Sequence, residues 1–234
     1  MSKASCGKCS RFCAGKVPIF ENLDCNELEE IVEKIEHKSY EKGNMIFTEG
    51  SDANTLFFIN TGKIKLFKYN KDGKEQILHI LTNGDFFGEL DLIKSSKYKF
   101  NAKAMDDAKI CTLTKTEVKN IIMKKPEISI KLLESVGERL SAIENLAQNL
   151  STNDVDARIA YMLLNLMDKY CEESQNGKKI IKLPLTREDM ANYIGVTRET
   201  ISRKLKKFEE EELISLIGTK KIIILDEEGL QDYI

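Results

Sequence analysis

The chain has 234 residues, enough for one large or two modest domains, and 41% hydrophobic with 32% charged residues is the balance of a globular protein, not a disordered or fibrous one. A formal net charge of −2 excludes a uniformly basic coat, so any nucleic-acid contact must come from a local basic patch. No stretch approaches the ~20 consecutive apolar residues that span a bilayer, and residues 1–16 lack the apolar core of a signal peptide, so a cytoplasmic protein without a membrane partner is expected.

Residues 1–16 carry Cys6, Cys9 and Cys13 together with Lys3, Lys8, Arg11 and Lys16, and no acid. Six cysteines in a chain expected in a reducing compartment point to metal or redox chemistry more than to structural disulfides. The spacing Cys-x2-Cys-x3-Cys lets three thiolates wrap one metal centre. A [4Fe–4S] cubane takes a fourth thiolate, which Cys111 or Cys25 would supply. The same set suits structural zinc or a thiol redox switch, with Lys8, Arg11 and Lys16 favouring thiolates. Taken alone, Cys111 shares strand parity with Leu113 and reads as a small core residue.

Leu28, Ile31, Val32 and Ile35 recur at helical spacing, and Asp24 with Glu27 predicts a capping box before them. From about Tyr40 to Thr114 short apolar runs replace this pattern: Met45–Phe47, Leu56–Ile59, Ile64–Tyr69, Gln76–Leu81 and Lys109–Leu113. Glycines and the Asp72-Gly73 hairpin signal separate them, which predicts an antiparallel sandwich or roll. Of the two histidines, His37 and His79, the second offers a haem ligand from within a strand, though a hydrogen-bonded structural role is commoner there.

Thr114 and Glu117 predict another capping box, and Pro126 suits the first turn of a longer helix. In that helix Leu133, Leu140 and Ala147 form one seven-residue series, and Val136, Ile143 and Leu150 form a second, the two lines of a coiled-coil seam. Asp154 occupies the next position of the first series, so the seam is expected to end near Ser151–Asn153, at a hinge. An apolar helix, Arg158 to Tyr170, comes next, and then a polar loop, Cys171–Lys179, which contains Cys171.

Thr186 can cap a short helix, Gly195 breaks it, and Thr197 can cap a second helix from Arg198 to Phe208. Ile201, Leu205 and Phe208 make the buried stripe, leaving Arg198, Glu199, Ser202 and Arg203 outward. These side chains suit base edges in a major groove, and Lys204, Lys206 and Lys207 suit phosphates. Ile222–Leu225 reads as a strand of a terminal hairpin. No nucleophile elbow, P-loop or His-Glu-x-x-His motif is present, so an enzyme is not expected.

The stretch Leu185-Thr-Arg-Glu-Asp-Met-Ala-Asn-Tyr-Ile-Gly-Val-Thr-Arg-Glu-Thr-Ile-Ser-Arg resembles the Crp/Fnr family of bacterial regulators. Gly84-Asp85-Phe86-Phe87-Gly88-Glu89-Leu90 looks like that family's beta-roll segment, and the order of elements from Val17 to Ile234 is similar throughout. The resemblance implies an α+β chain: a cysteine-rich segment 1–16, an antiparallel beta-roll sensor over 17–125, a dimerisation helix over 126–151 and a winged helix-turn-helix over 152–234. It implies a homodimer that binds a palindromic double-stranded DNA operator through Thr197, Arg198, Glu199, Ser202, Arg203 and Lys204, with RNA polymerase as a further partner. Glu199, Ser202 and Arg203 resemble the Fnr branch, which reads TTGA, whereas Arg198 resembles the cyclic-AMP receptor branch. In the Fnr branch three N-terminal cysteines join one late in the roll, and Cys111 falls on the matching strand, although the gap from Cys9 to Cys13 is shorter than in that branch. Cyclic AMP takes an Arg-Ser pair after the Gly-Glu-Leu turn, where this chain has Lys97-Tyr98-Lys99-Phe100, which argues against that ligand.

Overall fold

The computed structural model describes Gly15 and residues 17–21, 23–89, 97–151, 154–173, 179–183 and 185–234. Cys6, Cys9 and Cys13 lie outside these. A short 3-10 turn, Pro18–Phe20, leads to helix α1, Cys25–Val32. Asp24 and Glu27 form the expected capping box, with Glu27 N donating to Asp24 Oδ1 at 2.9 Å and Asp24 N to Glu27 Oε2 at 2.8 Å. The helix ends before Ile35, which is buried just beyond it.

Eight strands then build two four-stranded antiparallel sheets. Strands β1 (Glu36–Tyr40), β8 (Ala108–Thr114), β3 (Thr55–Thr61) and β6 (Phe86–Phe87) lie in that order in one sheet. Strands β2 (Met45–Phe47), β7 (Asn101–Ala104), β4 (Ile64–Tyr69) and β5 (Glu75–Leu81) make the other. Side-chain alternation along the first sheet divides its residues between two cores. Leu56, Phe58, Phe86, Cys111 and Leu113 face a core shared with Val17, Ile19, Phe20, Leu23, Leu28 and Ile31. Phe57, Ile59, Phe87, Ala108 and Ile110 face the interior of the roll, with Phe47, Leu66, Tyr98 and Ala102. Burial on both faces explains why Leu56–Ile59 of β3 reads as a continuous apolar run rather than an alternating one. Asp72-Gly73 does lie in the β4–β5 connection: Asn70 Oδ1 accepts from Asp72 N and Lys74 N, both at 2.9 Å, and Gly73 has φ +75°.

Helix α2 (Lys115–Lys124) starts at the predicted Thr114–Glu117 capping box. Helix α3 (Glu127–Ser151) begins just after Pro126, and residues 152 and 153 of the expected hinge lie outside the described residues. Helix α4 (Val155–Tyr170) starts three residues earlier than the apolar pattern suggests. Its N-cap is Asp154, whose Oδ1 accepts from Asp156 N at 2.8 Å and Ala157 N at 3.4 Å. The acid that interrupts the seam is therefore also the residue that starts the next helix.

The expected polar loop after α4 is instead a hairpin, β9 (Cys171–Glu173) and β10 (Lys179–Lys182), with Cys171 paired to Ile181. Ile180 and Ile181 are the only apolar residues of β10, which makes the strand faint in the sequence although Ile181 is fully buried. Helices α5 (Arg187–Ile194) and α6 (Arg198–Glu210) come next, then β11 (Ile214–Ile217), β12 (Lys221–Ile224) and the short helix α7 (Glu227–Gln231). The last sheet has the order β11-β12-β10-β9. Two compact units result, one of described residues up to Lys68 with Leu78–Leu140, the other of Tyr69–Ile77 with Ser141–Ile234.

Candidate DNA interface

Local chemistry fixes both helices of the C-terminal pair. Thr186 Oγ1 accepts from Asp189 N at 3.1 Å while Asp189 Oδ2 accepts from Thr186 N at 3.1 Å, a reciprocal cap with Asp in the place of Glu. Gly195 ends α5 in the left-handed region (φ +73°, ψ +40°), and both its N–H and that of Val196 return to Ala191 O. Two residues later Thr197 caps α6, accepting from Thr200 N at 3.3 Å. The helix buries Ile201, Leu205 and Phe208 completely. Arg158 Nη1, on α4, donates to Ile194 O at 3.0 Å and so satisfies a terminal carbonyl of α5.

Thr197, Arg198, Glu199, Ser202, Arg203 and Lys206 are exposed. Arg198 and Arg203 form no ion pair among the described residues, so both guanidinium forks are available to a ligand. Ser202 Oγ donates to Arg198 O at 3.0 Å, which leaves its lone pairs outward. Lys204 is placed differently from the rest of the predicted set. Its ammonium lies 2.7 Å from Asp156 Oδ1, and Lys207 Nζ donates to Asp156 Oδ2 at 2.8 Å. Both lysines sit on the flank of α6 turned towards the start of α4. A surface depression there is lined by Arg203, Lys204, Lys206, Lys207 and Glu210.

Asp156 is buried at 7% exposure, and no motif or spacing in the sequence marks it. Burial pushes its carboxyl up, but the hydrogen bonds from Lys204 and Lys207 outweigh this and hold it below its ordinary value. The bond to Asp156 raises Lys207 in turn, against some desolvation and with help from Tyr233. Lys207 Nζ lies 5.3 Å from the Tyr233 ring centroid, Tyr233 packs on Phe208 at 5.1 Å, and the Tyr233 hydroxyl donates to Glu211 at 2.7 Å.

On α3 the predicted seam residues Leu133, Leu140 and Ile143 are 66%, 55% and 46% exposed, and Val136 is half-buried. Ile128 and Leu132, on another side of the helix, pack into the core of the first unit. The chain alone therefore leaves an apolar row uncovered. The side chains of Ala147 and Leu150 lie outside the described set.

Of the predicted metal ligands, Cys111 is not in a disulfide and is 1% exposed, on the face of β8 covered by Val17, Ile19, Phe20 and Leu23. Its Sγ lies 3.4 Å from Nδ1 of His37, the residue opposite it on β1. Cys25, at the first position of α1, is disulfide-bonded, and neither Cys111 nor Cys171 is its partner. Tyr98, in the stretch where a cyclic phosphate would require an arginine, is buried in the roll and stacks on Phe47 with ring centroids 3.7 Å apart. No described helix is long and apolar enough to cross a membrane.

The cyclic nucleotide-binding domain family matches residues 37–125, and the Crp-like helix-turn-helix domain family matches residues 157–233. The chain is 30% identical over 222 residues to the probable transcriptional regulator flp of Lacticaseibacillus casei, covering 94% of this chain and 97% of that one. It is 28% identical over 212 residues to the CRP-like cAMP-activated global transcriptional regulator of Mycobacterium tuberculosis, covering 91% and 94%. The solved structure of FixK2 from Bradyrhizobium japonicum shares the fold with a TM-score of 0.77 at 23% identity, over 85% of this chain and 96% of that one.

Proposed function

Because the chain belongs to the Crp/Fnr family of DNA-binding transcription regulators, we propose that it is an oxygen- or redox-responsive member whose signal is read by the cysteines of its N-terminal segment. It acts as a homodimer on palindromic duplex DNA, with RNA polymerase as its downstream partner. Pairing of the α3 rows sets two α6 helices about 34 Å apart, one turn of the duplex. Arg198, Glu199, Ser202 and Arg203 read base edges, and Arg203 with Glu199 on one exposed face favours a half-site of the TTGA kind.

The observation that carries the cysteine reading is the position of Cys111. It faces the core into which Val17, Ile19 and Phe20 pack, the described residues that follow the cysteine-rich segment in the chain. Among the described residues no group of three or more His, Cys, Asp or Glu side chains forms a metal site. A [4Fe–4S] cluster would be held by Cys6, Cys9 and Cys13 with Cys111, or with Cys25 once its disulfide is reduced, four thiolates being the donor set a cubane takes. When bound, the cluster supplies an oxygen-labile link between the N-terminal segment and the body of the roll. The chain's own part is to supply these thiols and to present Leu133, Leu140 and Ile143 for pairing.

A second reading rests on Cys25. Its disulfide favours a thiol–disulfide switch without iron. Cyclic AMP finds less support here than the relatedness to a cAMP-activated regulator would suggest, because residues 17–125 contain no arginine to fork a cyclic phosphate.

Protein purified without oxygen tests these readings. Iron with acid-labile sulfide, an absorbance band lost in air, and DNA retardation that weakens on aeration support the cluster. Thiols lost on aeration without iron support the switch, and zinc alone supports a structural staple. Separate Cys111→Ser and Cys25→Ser variants assign the fourth ligand by iron content. A metal-free protein with air-indifferent thiols and DNA binding rejects the cysteine reading altogether.

A further inference from the structure

The recognition helix carries five cations over residues 198–207, yet they are not equivalent. Arg198 and Arg203 are exposed and Lys206 is 74% exposed, with only a long contact of 3.8 Å to Glu210. Lys204 and Lys207 close on the two oxygens of a single buried carboxylate. We propose that Asp156 is a positioning residue for DNA recognition: it keeps Lys204 and Lys207 off the phosphate backbone and fixes how α6 is rotated about its axis. The proposal rests on the reading of α6 as the DNA-contacting helix.

The geometry gives both effects. Residues 204 and 207 lie one turn apart, so two contacts to one point define the roll of the helix as well as its distance. Asp156 is in the first turn of α4, and its own N–H is bound by the Asp154 cap, so the anchor is itself held. The aromatic ring of Tyr233 covers Lys207 from the other side, and Tyr233 is tied to Glu211 at the end of α6. Sequestering two of five cations lowers the sequence-independent part of DNA affinity, since each phosphate neutralised contributes to it. The cations remaining on the outer face are weighted to Arg198 and Arg203, whose forks distinguish bases.

The test is equilibrium binding of the full-length protein to a random-sequence duplex and to a palindromic TTGA duplex of equal length, each at several KCl concentrations. Asp156→Asn keeps the shape and removes the charge. The lysines, partly exposed, then turn to solvent instead of remaining buried and unpaired. The expected result is a log K against log [KCl] slope steeper by about 2 to 4 for the dimer, at ~0.9 per phosphate. Affinity for the random duplex should rise about tenfold at low salt, with a fall in the ratio between the two duplexes. Adding Lys204→Gln and Lys207→Gln to that variant should return the slope to the wild-type value. A purely structural role for Asp156 predicts weaker binding to both duplexes and no steepening, and that result overturns the proposal.

If Asp156→Asn does not fold, acetylation footprinting of the wild type decides the matter. DNA should protect Lys206 and leave Lys204 and Lys207 as reactive as in free protein. Equal protection of all three overturns the proposal. A wild type that binds neither duplex at low salt rejects the DNA-contacting reading of α6, and this inference with it.

Discussion

Replacing Leu140 by Asp places a carboxylate in the middle of the exposed row on α3. Leu133, Leu140 and Ile143 are two-thirds, half and just under half exposed, so the three together amount to more than one and a half side chains per protomer. At about 2 kcal/mol for a fully buried side chain, covering the row in a dimer contributes about 7 kcal/mol before the cost of association. Leu140 supplies about 1 kcal/mol from each protomer, and the substitution loses both halves, about 2 kcal/mol, with carboxylate desolvation added. The dimer dissociation constant should therefore rise at least about 30-fold. Sedimentation equilibrium measures it directly, and anisotropy with a full palindrome and with a half-site duplex shows the consequence for DNA. Met123→Asp, at an exposed site on α2, is the control and should leave association unchanged. A Leu140→Asp protein that dimerises within threefold of wild type refutes the assignment of this row as the seam.

Gly88 has φ +92° and a Cβ there would lie 2.5 Å from Thr55 O, whereas Gly73 has φ +75° and open space around it. Gly88→Ala should lower the melting temperature by about 10 °C or more and Gly73→Ala by only a few degrees, readable by differential scanning fluorimetry. Thr114→Ala removes the acceptor for Glu117 N and should cost about 1 kcal/mol, with Thr114→Ser restoring most of it in urea melts. The carboxyl of Asp156 titrates below its ordinary value, burial opposing and the two lysine bonds prevailing. Its pairing therefore stabilises the C-terminal unit above the ordinary carboxylate range, and this is lost as pH falls through the lowered value. Far-UV circular dichroism between pH 5 and 2 should show an acid transition that Asp156→Asn flattens.

Elements whose signal is local are legible in the sequence. The caps at Asp24, Thr114, Thr186 and Thr197 each form the expected bond, and β2 and β4 occupy the predicted residues. Strand β1 leaves no such trace because its first four residues are exposed and it gains its place only by pairing with β8 along one edge. Strand β7, Asn-Ala-Lys-Ala, has side chains too small to mark an apolar run, though Ala102 and Ala104 are buried. The β9–β10 hairpin reads as a polar loop because each strand is short, β9 pairing only with β10 and β10 in turn needing β12 as its other neighbour. Within the interface, exposure of Arg198, Glu199, Ser202 and Arg203 is set by helical period alone. The engagement of Lys204 is not, since its partner is 48 residues away and no spacing rule connects them.

That distant partner bears on how α4 is held. A break in the heptad series at Asp154 accounts for where α3 stops, but not for how the next helix is tied to the DNA-reading pair. The structure puts two acids two residues apart at this point, with separate tasks: Asp154 holds the first N–H groups of α4, and Asp156 holds the flank of α6. Arg158, two residues further, holds the end of α5 through Ile194 O. Three alternate residues at the start of one helix thus fix that helix and both members of the DNA-reading pair to one another. A helix-turn-helix anchored in this way moves as one piece with the beginning of α4. Under the function proposed above, a signal need not reshape the reading surface at all. It would need only to change how the α3 rows pair, with spacing across a palindrome as the response.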